Sequence, residues 1–105
     1  MQKKTFAIPD YEYTTNESGN ITLTSYTGSK TDIIIPDTIG GIPVAELRGT
    51  FFECMDLKAV TITNDKIYIG EYTFYGCENL TVYCDEGSAA WKYCEENNIP
   101  HEPIN

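Results

Sequence analysis

The chain has 105 residues, 41% hydrophobic and 22% charged, with 16 acids against seven Lys and Arg and a net charge of −9. That length and composition suit one globular domain, and the charge argues against nucleic acid or an anionic membrane as ligand. No apolar run approaches the roughly 18 residues that a membrane span needs. The opening segment Met1-Gln2-Lys3-Lys4-Thr5-Phe6-Ala7-Ile8-Pro9-Asp10 has too short an apolar stretch for a signal peptide. A complete chain is therefore expected in the cytoplasm, and one cut from a longer protein outside the cell or on its surface.

Residues 1–10 read as a leader. Residues 11–14 and 21–26 alternate large and polar side chains, as half-buried strands do, and the turn formers of 15–20 join them into a β-hairpin. After a turn at residues 27–30, Asp32-Ile33-Ile34-Ile35-Pro36 is a short apolar strand. It is either covered on both sides or has an exposed face that makes contacts. Gly40-Gly41-Ile42-Pro43 reads as a break.

The chain then writes one phrase twice. Thr50-Phe51-Phe52-Glu53-Cys54-Met55-Asp56-Leu57 returns 23 residues later as Thr73-Phe74-Tyr75-Gly76-Cys77-Glu78-Asn79-Leu80. Repetition at that period marks stacked coils, each unable to bury its own apolar side without a neighbour. Val44, Leu47, Leu57, Val60 and Ile62 line the first coil, and Ile67, Ile69, Phe74, Cys77, Leu80 and Val82 the second. The second copy is one residue longer before its Thr, a difference expected in a turn on the convex edge. Cys54 and Cys77 are expected to stack inward as small hydrophobes. All four cysteines are expected to be reduced, with a Cys84–Cys94 bridge as the alternative; Cys84 is placed in the turn before a helix. That helix covers residues 87–98, with Ser88 as N-cap, Ala90, Trp91 and Cys94 on one face, and Asn97 or Asn98 at its end. Residues 101–104 add a last short strand.

The segment Ile69-Gly70-Glu71-Tyr72-Thr73-Phe74-Tyr75-Gly76-Cys77-Glu78-Asn79-Leu80 resembles the BspA-like leucine-rich repeat. Residues 21–44, with Tyr26-Thr27-Gly28-Ser29 and Ile34-Ile35-Pro36-Asp37, are similar to the N-terminal section usual in that family. Residues 80–100 are similar to its C-terminal cap. The resemblance implies an α+β, mainly β fold: a short right-handed leucine-rich-repeat solenoid with an N-terminal β-hairpin and a C-terminal helical cap. It divides a single domain (1–105) into an N-terminal β section and cap (11–43), two coils (44–83), and a helix cap and tail (84–105). It implies no enzymatic activity, and many family members are long surface proteins. Thr63 stands where the family usually has the proline that this chain keeps at Pro36.

Chemistry-bearing patterns are missing from the sequence. The single histidine, His101, reads as a solvated tail residue, and no Ser or Cys has the partners of a triad or dyad. The cysteine spacings miss the paired pattern of zinc sites, so neither metal nor cofactor is expected. Asn16, Asn20 and Asn79 begin glycosylation sequons, a match easily reached by chance.

Two constellations remain. One is the strand face opposite the core, with Lys58, Ala59, Thr61 and Thr63 from the first coil and Thr81 and Tyr83 from the second. The other is a tyrosine set, Tyr68, Tyr72, Tyr75, Tyr83 and Tyr93, among Glu71, Glu78, Glu86 and Glu95; tyrosines ringed by charge are typical of binding hot spots. The candidate partner-binding residues are therefore Lys58, Thr61, Thr63, Glu71, Tyr72, Glu78, Thr81, Tyr83, Asp85 and Glu86. The expected function is a non-enzymatic protein-interaction module whose partner carries a basic surface, and the exposed sheet edge leaves self-association open. Two alternatives stand beside it: a small acidic inhibitor of a nucleic-acid enzyme, of phage or mobile-element type, and a fragment of a bacterial surface adhesin.

Overall fold

The alternation of residues 11–26 becomes an antiparallel hairpin in the structure, a computed structural model that describes residues 4–104. Strands β2 (Tyr11–Thr15) and β3 (Ile21–Tyr26) pair, and β1 (Phe6–Ile8) adds to β2 from the leader; residues 1–3 of that leader lie outside the described residues. β4 (Asp32–Ile34) follows with period two: Ile33 and Ile35 are buried while Ile34 is 69% exposed. The apolar run is therefore covered on one side only. The Gly40-Gly41 stretch is not a plain break. Both glycines have positive φ, 58° and 82°, as a tight hairpin turn requires. They join β5 (Thr38–Ile39) to β6 (Ile42–Leu47), so Ile42 and Pro43 already belong to a strand.

The remaining elements are β7 (Ala59–Ile62), β8 (Tyr68–Ile69), β9 (Thr81–Cys84), α1 (Ala89–Glu96) and β10 (His101–Glu102). β3, β6 and β8 lie side by side in parallel, and so do β4, β7, β9 and β10. The chain thus winds from one stack to the other in about four turns, β3 to β4, β6 to β7, β8 to β9 and α1 to β10. Two turns carry the written repeat. The hairpin strand β3 continues the same spiral on one side, and α1 takes the place of a strand on the other.

The repeated phrase folds the same way twice. Cys54 N–H donates to the Phe51 carbonyl (3.0 Å) and Cys77 N–H to that of Phe74 (3.1 Å). Leu57 and Leu80 then reach back to the Cys54 and Cys77 carbonyls. Inside, the Phe51 and Phe74 rings stack 5.7 Å apart and 1° from parallel. Tyr26 sits 5.6 Å beyond Phe51, and Tyr93 6.3 Å beyond Phe74. The hairpin and the helix thus each contribute one ring to a column that runs through the stack. Each such ring pair contributes about 0.5–1.5 kcal/mol beyond its buried area.

The threonine that opens the phrase is a buried clasp. Thr50 Oγ1 donates to the Leu23 carbonyl of the previous turn at 2.7 Å. Thr73 Oγ1 lies 2.8 Å from the Gly70 carbonyl and 3.3 Å from that of Leu47. Leu23, Leu47 and Ile69 are register partners, so the clasp repeats once per turn. The inserted residue falls between Ile69 and Thr73, where Gly70-Glu71-Tyr72 replaces Arg48-Gly49. The position before the threonine is left-handed in both copies, Gly49 at φ 60° and Tyr72 at φ 63°. Tyrosine is strained there by roughly 1 kcal/mol. Gly76, at φ 82°, is required for closeness as well, since a Cβ would meet Glu53 Cα at 3.0 Å.

Three further sequence expectations need correction. Cys54 and Cys77 are only half-buried, with Cys77 Sγ 3.0 Å from the Phe51 carbonyl. The fully buried thiols are Cys84 and Cys94, and Cys84 ends β9 instead of sitting in the following turn. All four cysteines are free. The helix begins and ends as expected: Ser88 accepts from Trp91 N–H at 3.1 Å and Asn97 closes it. His101 is not a solvated tail residue. It is half-buried in β10, with its ring 4.5 Å from Trp91 in an edge contact and Nδ1 2.7 Å from the Ile99 carbonyl.

Candidate functional site: a strand face and an aromatic cleft

Side chains of the β4–β7–β9–β10 sheet alternate between core and solvent. Val60, Ile62, Val82 and Cys84 point inward and are buried. The outward positions line up across the strands by register: Asp32, Ala59 and Thr81 in one row, and Ile34, Thr61, Tyr83 and Glu102 in the next. Between the rows lies a shallow cavity of about 440 Å³, lined by Ile34, Thr61 and Tyr83 among others. The structure therefore brings together Thr61, Thr81 and Tyr83 from the sequence candidates. Lys58 and Thr63 flank β7 at its two ends, and Thr63 Oγ1 bonds to Asp37 at 2.6 Å. Ile34, absent from the candidate residues, is the most exposed large hydrophobic in the face. The one legible signal for it was the unbroken isoleucine run.

The acidic candidates scatter. Glu78 lies on an exposed turn, while Asp85 and Glu86 occupy the turn that delivers Ser88 to the helix. The neighbouring Asp85 carboxyl holds the Asp65 carboxyl above its ordinary range. Among the described residues no group of three or more His, Cys, Asp or Glu side chains is placed to hold a metal ion.

Glu71 and Tyr72 belong to a second surface. Tyr68, Tyr72, Tyr75 and Tyr93 border a cleft of about 660 Å³ between the second coil and α1, with Glu71 and Glu96 on its rim. Tyr83, grouped with these tyrosines in the sequence, lies instead on the strand face. Tyr72, left-handed like Gly49 in the first copy, is 61% exposed. Tyr75 packs at 83° to it with centroids 5.8 Å apart, and Phe52 of the preceding turn stacks behind Tyr75 at 5.3 Å. Tyr93 comes from α1, its hydroxyl 3.4 Å from the Gly70 carbonyl; burial raises its pKa above the usual tyrosine value. Next to the cleft, the Arg48 guanidinium sits 5.3 Å over the Tyr68 ring and pairs with Glu46 at 2.9 Å. The Asn16 amide, and after it Arg48, holds the Glu46 carboxyl below its ordinary range.

This winding is shared with solved structures. A leucine-rich cell surface protein from Faecalibacterium prausnitzii A2-165 superposes with a TM-score of 0.74 over 99% of this chain, at 24% identity. The fold is that of the leucine-rich repeat. A leucine-rich repeat protein from T. pallidum superposes with a TM-score of 0.66 over 78% of the chain, also at 24% identity. The chain spans 31% of the first protein and 43% of the second. By sequence, no protein-family model and no curated protein matches it. Among the described residues no helix of the chain is long and apolar enough to cross a membrane.

Proposed function

We propose that the protein is a non-enzymatic protein-interaction module of leucine-rich-repeat type. The observation that carries the reading is the outward side of the β4–β7–β9–β10 sheet. Small side chains in register surround an exposed isoleucine and a tyrosine, a flat and accessible surface of the kind solenoids use for contact. The net charge of −9 favours a partner with a basic surface. Affinity capture with the protein and with a Thr61→Arg/Thr81→Arg variant tests this. Stable capture of a partner by the first and its loss with the second is expected; no stable partner, or only self-association, defeats the reading. Binding by charge mimicry, as an acidic inhibitor of a nucleic-acid enzyme would bind, differs in losing most affinity when salt rises severalfold.

A second reading, a unit of a longer surface protein, is favoured by one observation. Nearly the whole chain superposes on a portion of a protein described as a cell surface protein. Mass spectrometry of surface-shaved cells from the source organism would find its peptides if that reading is right.

A further inference from the structure

We propose that the cleft between the second coil and α1 receives one lysine or arginine side chain from a basic peptide segment of a protein partner. The inference rests on the interaction-module reading and places the contact on a face other than the β4–β7–β9–β10 sheet.

Tyrosine ring faces carry negative potential and attract cations. Around this cleft Arg48 already lies over one face of Tyr68 and Phe52 stacks on one face of Tyr75, while Tyr72 is the most exposed of the four tyrosines. The Tyr72 and Tyr75 rings meet at 83°, which makes a corner. A flat sugar ring would instead want a coplanar platform, whereas a compact ammonium or a guanidinium fits between two walls. Glu71 and Glu96 stand on the rim, and neither has an ion-pair partner among the described residues, where the one salt bridge joins Arg48 to Glu46. The molecule already contains a small version of the proposed contact. Arg48 lies between the Tyr68 face and the Glu46 carboxylate, at 5.3 and 2.9 Å. The backbone adds a further reason. Tyr72 holds a left-handed conformation that the equivalent Gly49 takes freely, and the result is a ring held out in solvent at the cleft mouth. Strain of that sort, kept at an exposed aromatic, is found where a side chain has been positioned for contact.

The test is an amide NMR titration of the full chain with the peptide Ac-Gly-Arg-Gly-NH2, with its lysine counterpart, and with the citrulline peptide, which keeps the shape and removes the charge. Shifts are expected at residues 68–75 and 96–99 with the two charged peptides and not with citrulline. Affinity should fall about tenfold in Glu71→Gln/Glu96→Gln and at least as far in Tyr72→Ala. These positions are exposed, and an unchanged spectrum elsewhere verifies the fold. Equal binding of the citrulline peptide, binding of cellopentaose in its place, or unaltered affinity in the variants overturns the proposal. If the peptides leave the cleft untouched while Thr61→Arg/Thr81→Arg still abolishes partner capture, the module reading stands and this inference falls. Peptide binding without any captured partner removes the module reading and, with it, the protein occupant proposed for the cleft.

Discussion

The two written copies of the repeat agree inside and differ outside. Thr50, Phe51 and Leu57 occupy the same interior places as Thr73, Phe74 and Leu80, and their backbone turns superimpose bond for bond. On the surface, Arg48-Gly49 gives way to Gly70-Glu71-Tyr72, and Phe52-Glu53 to Tyr75-Gly76. The interior is fixed because each ring and each threonine must meet its counterpart one turn away. Outside, Phe52 and Tyr75 still stack across the turns, but the second coil's Gly70-Glu71-Tyr72 segment and α1 together border a tyrosine-lined cleft.

The contrast between interior and exterior can be measured by substitution. The largest effect is expected in the interior: Phe51→Ala and Phe74→Ala should each lose about 3–5 kcal/mol in urea unfolding. A loss in only one of them would mean that the two turns are not equivalent. Thr50→Val and Thr73→Val strip the clasp from buried carbonyls and should cost about 1–3 kcal/mol, more for Thr73, which faces two carbonyls. Outside, the sign should invert. Tyr72→Gly relieves a left-handed tyrosine and should gain roughly 0.5–1 kcal/mol, while its binding of the arginine peptide falls. A stability loss on that substitution would contradict the strain assigned to Tyr72.

The pH dependence of stability contrasts the turns again, through carboxylates. The Glu46 carboxyl, held low by Asn16 and Arg48, binds protons less readily folded than unfolded. Its contribution is complete above the unfolded pKa and is lost as pH falls through the lower, folded value. Asp65, raised by the neighbouring Asp85 carboxyl, acts in the opposite sense and favours folding as pH falls. Glu46→Gln should therefore flatten the acid limb of a stability–pH curve, and Asp65→Asn should steepen it. The smallest effect concerns the thiols. Burial raises the pKa of Cys77 to about 11 and that of Cys94 to about 12. Iodoacetamide at pH 8 should label Cys54 and Cys77 slowly in the folded protein, and Cys84 and Cys94 only once it unfolds.

Much of the architecture was legible because its cause is local or periodic. The Phe–Cys–Leu spacing marked the two coils, alternation marked the hairpin, and Ser88 with Asn97 bounded the helix. Tyr26 and Tyr93 were not legible as ends of the phenylalanine column. Neither sits in the written phrase, and each joins the column from a different kind of element. The strand that Ile42 and Pro43 open was not legible, because a turn pair such as Gly40-Gly41 says nothing of the strands beside it when one of them is only two residues long. His101 looked like a tail until Trp91, ten residues earlier, closed over it. For the site, Thr61, Thr81 and Tyr83 could be placed together from strand periodicity alone. The cleft could not, since Tyr68, Tyr72 and Tyr75 face Tyr93 and Glu96 only after the helix folds back on the second coil.

The threonine clasp has an implication for how such a chain changes length. Its bonds from Thr50 to the Leu23 carbonyl and from Thr73 to the Leu47 carbonyl lead back to the turn before, so a duplicated block spanning residues 58–80 carries its own fastening. The longer product would keep both ends intact and gain one ring in its spine. Growth by copying, with each new block free to vary its outer loops, needs no redesign of what lies within.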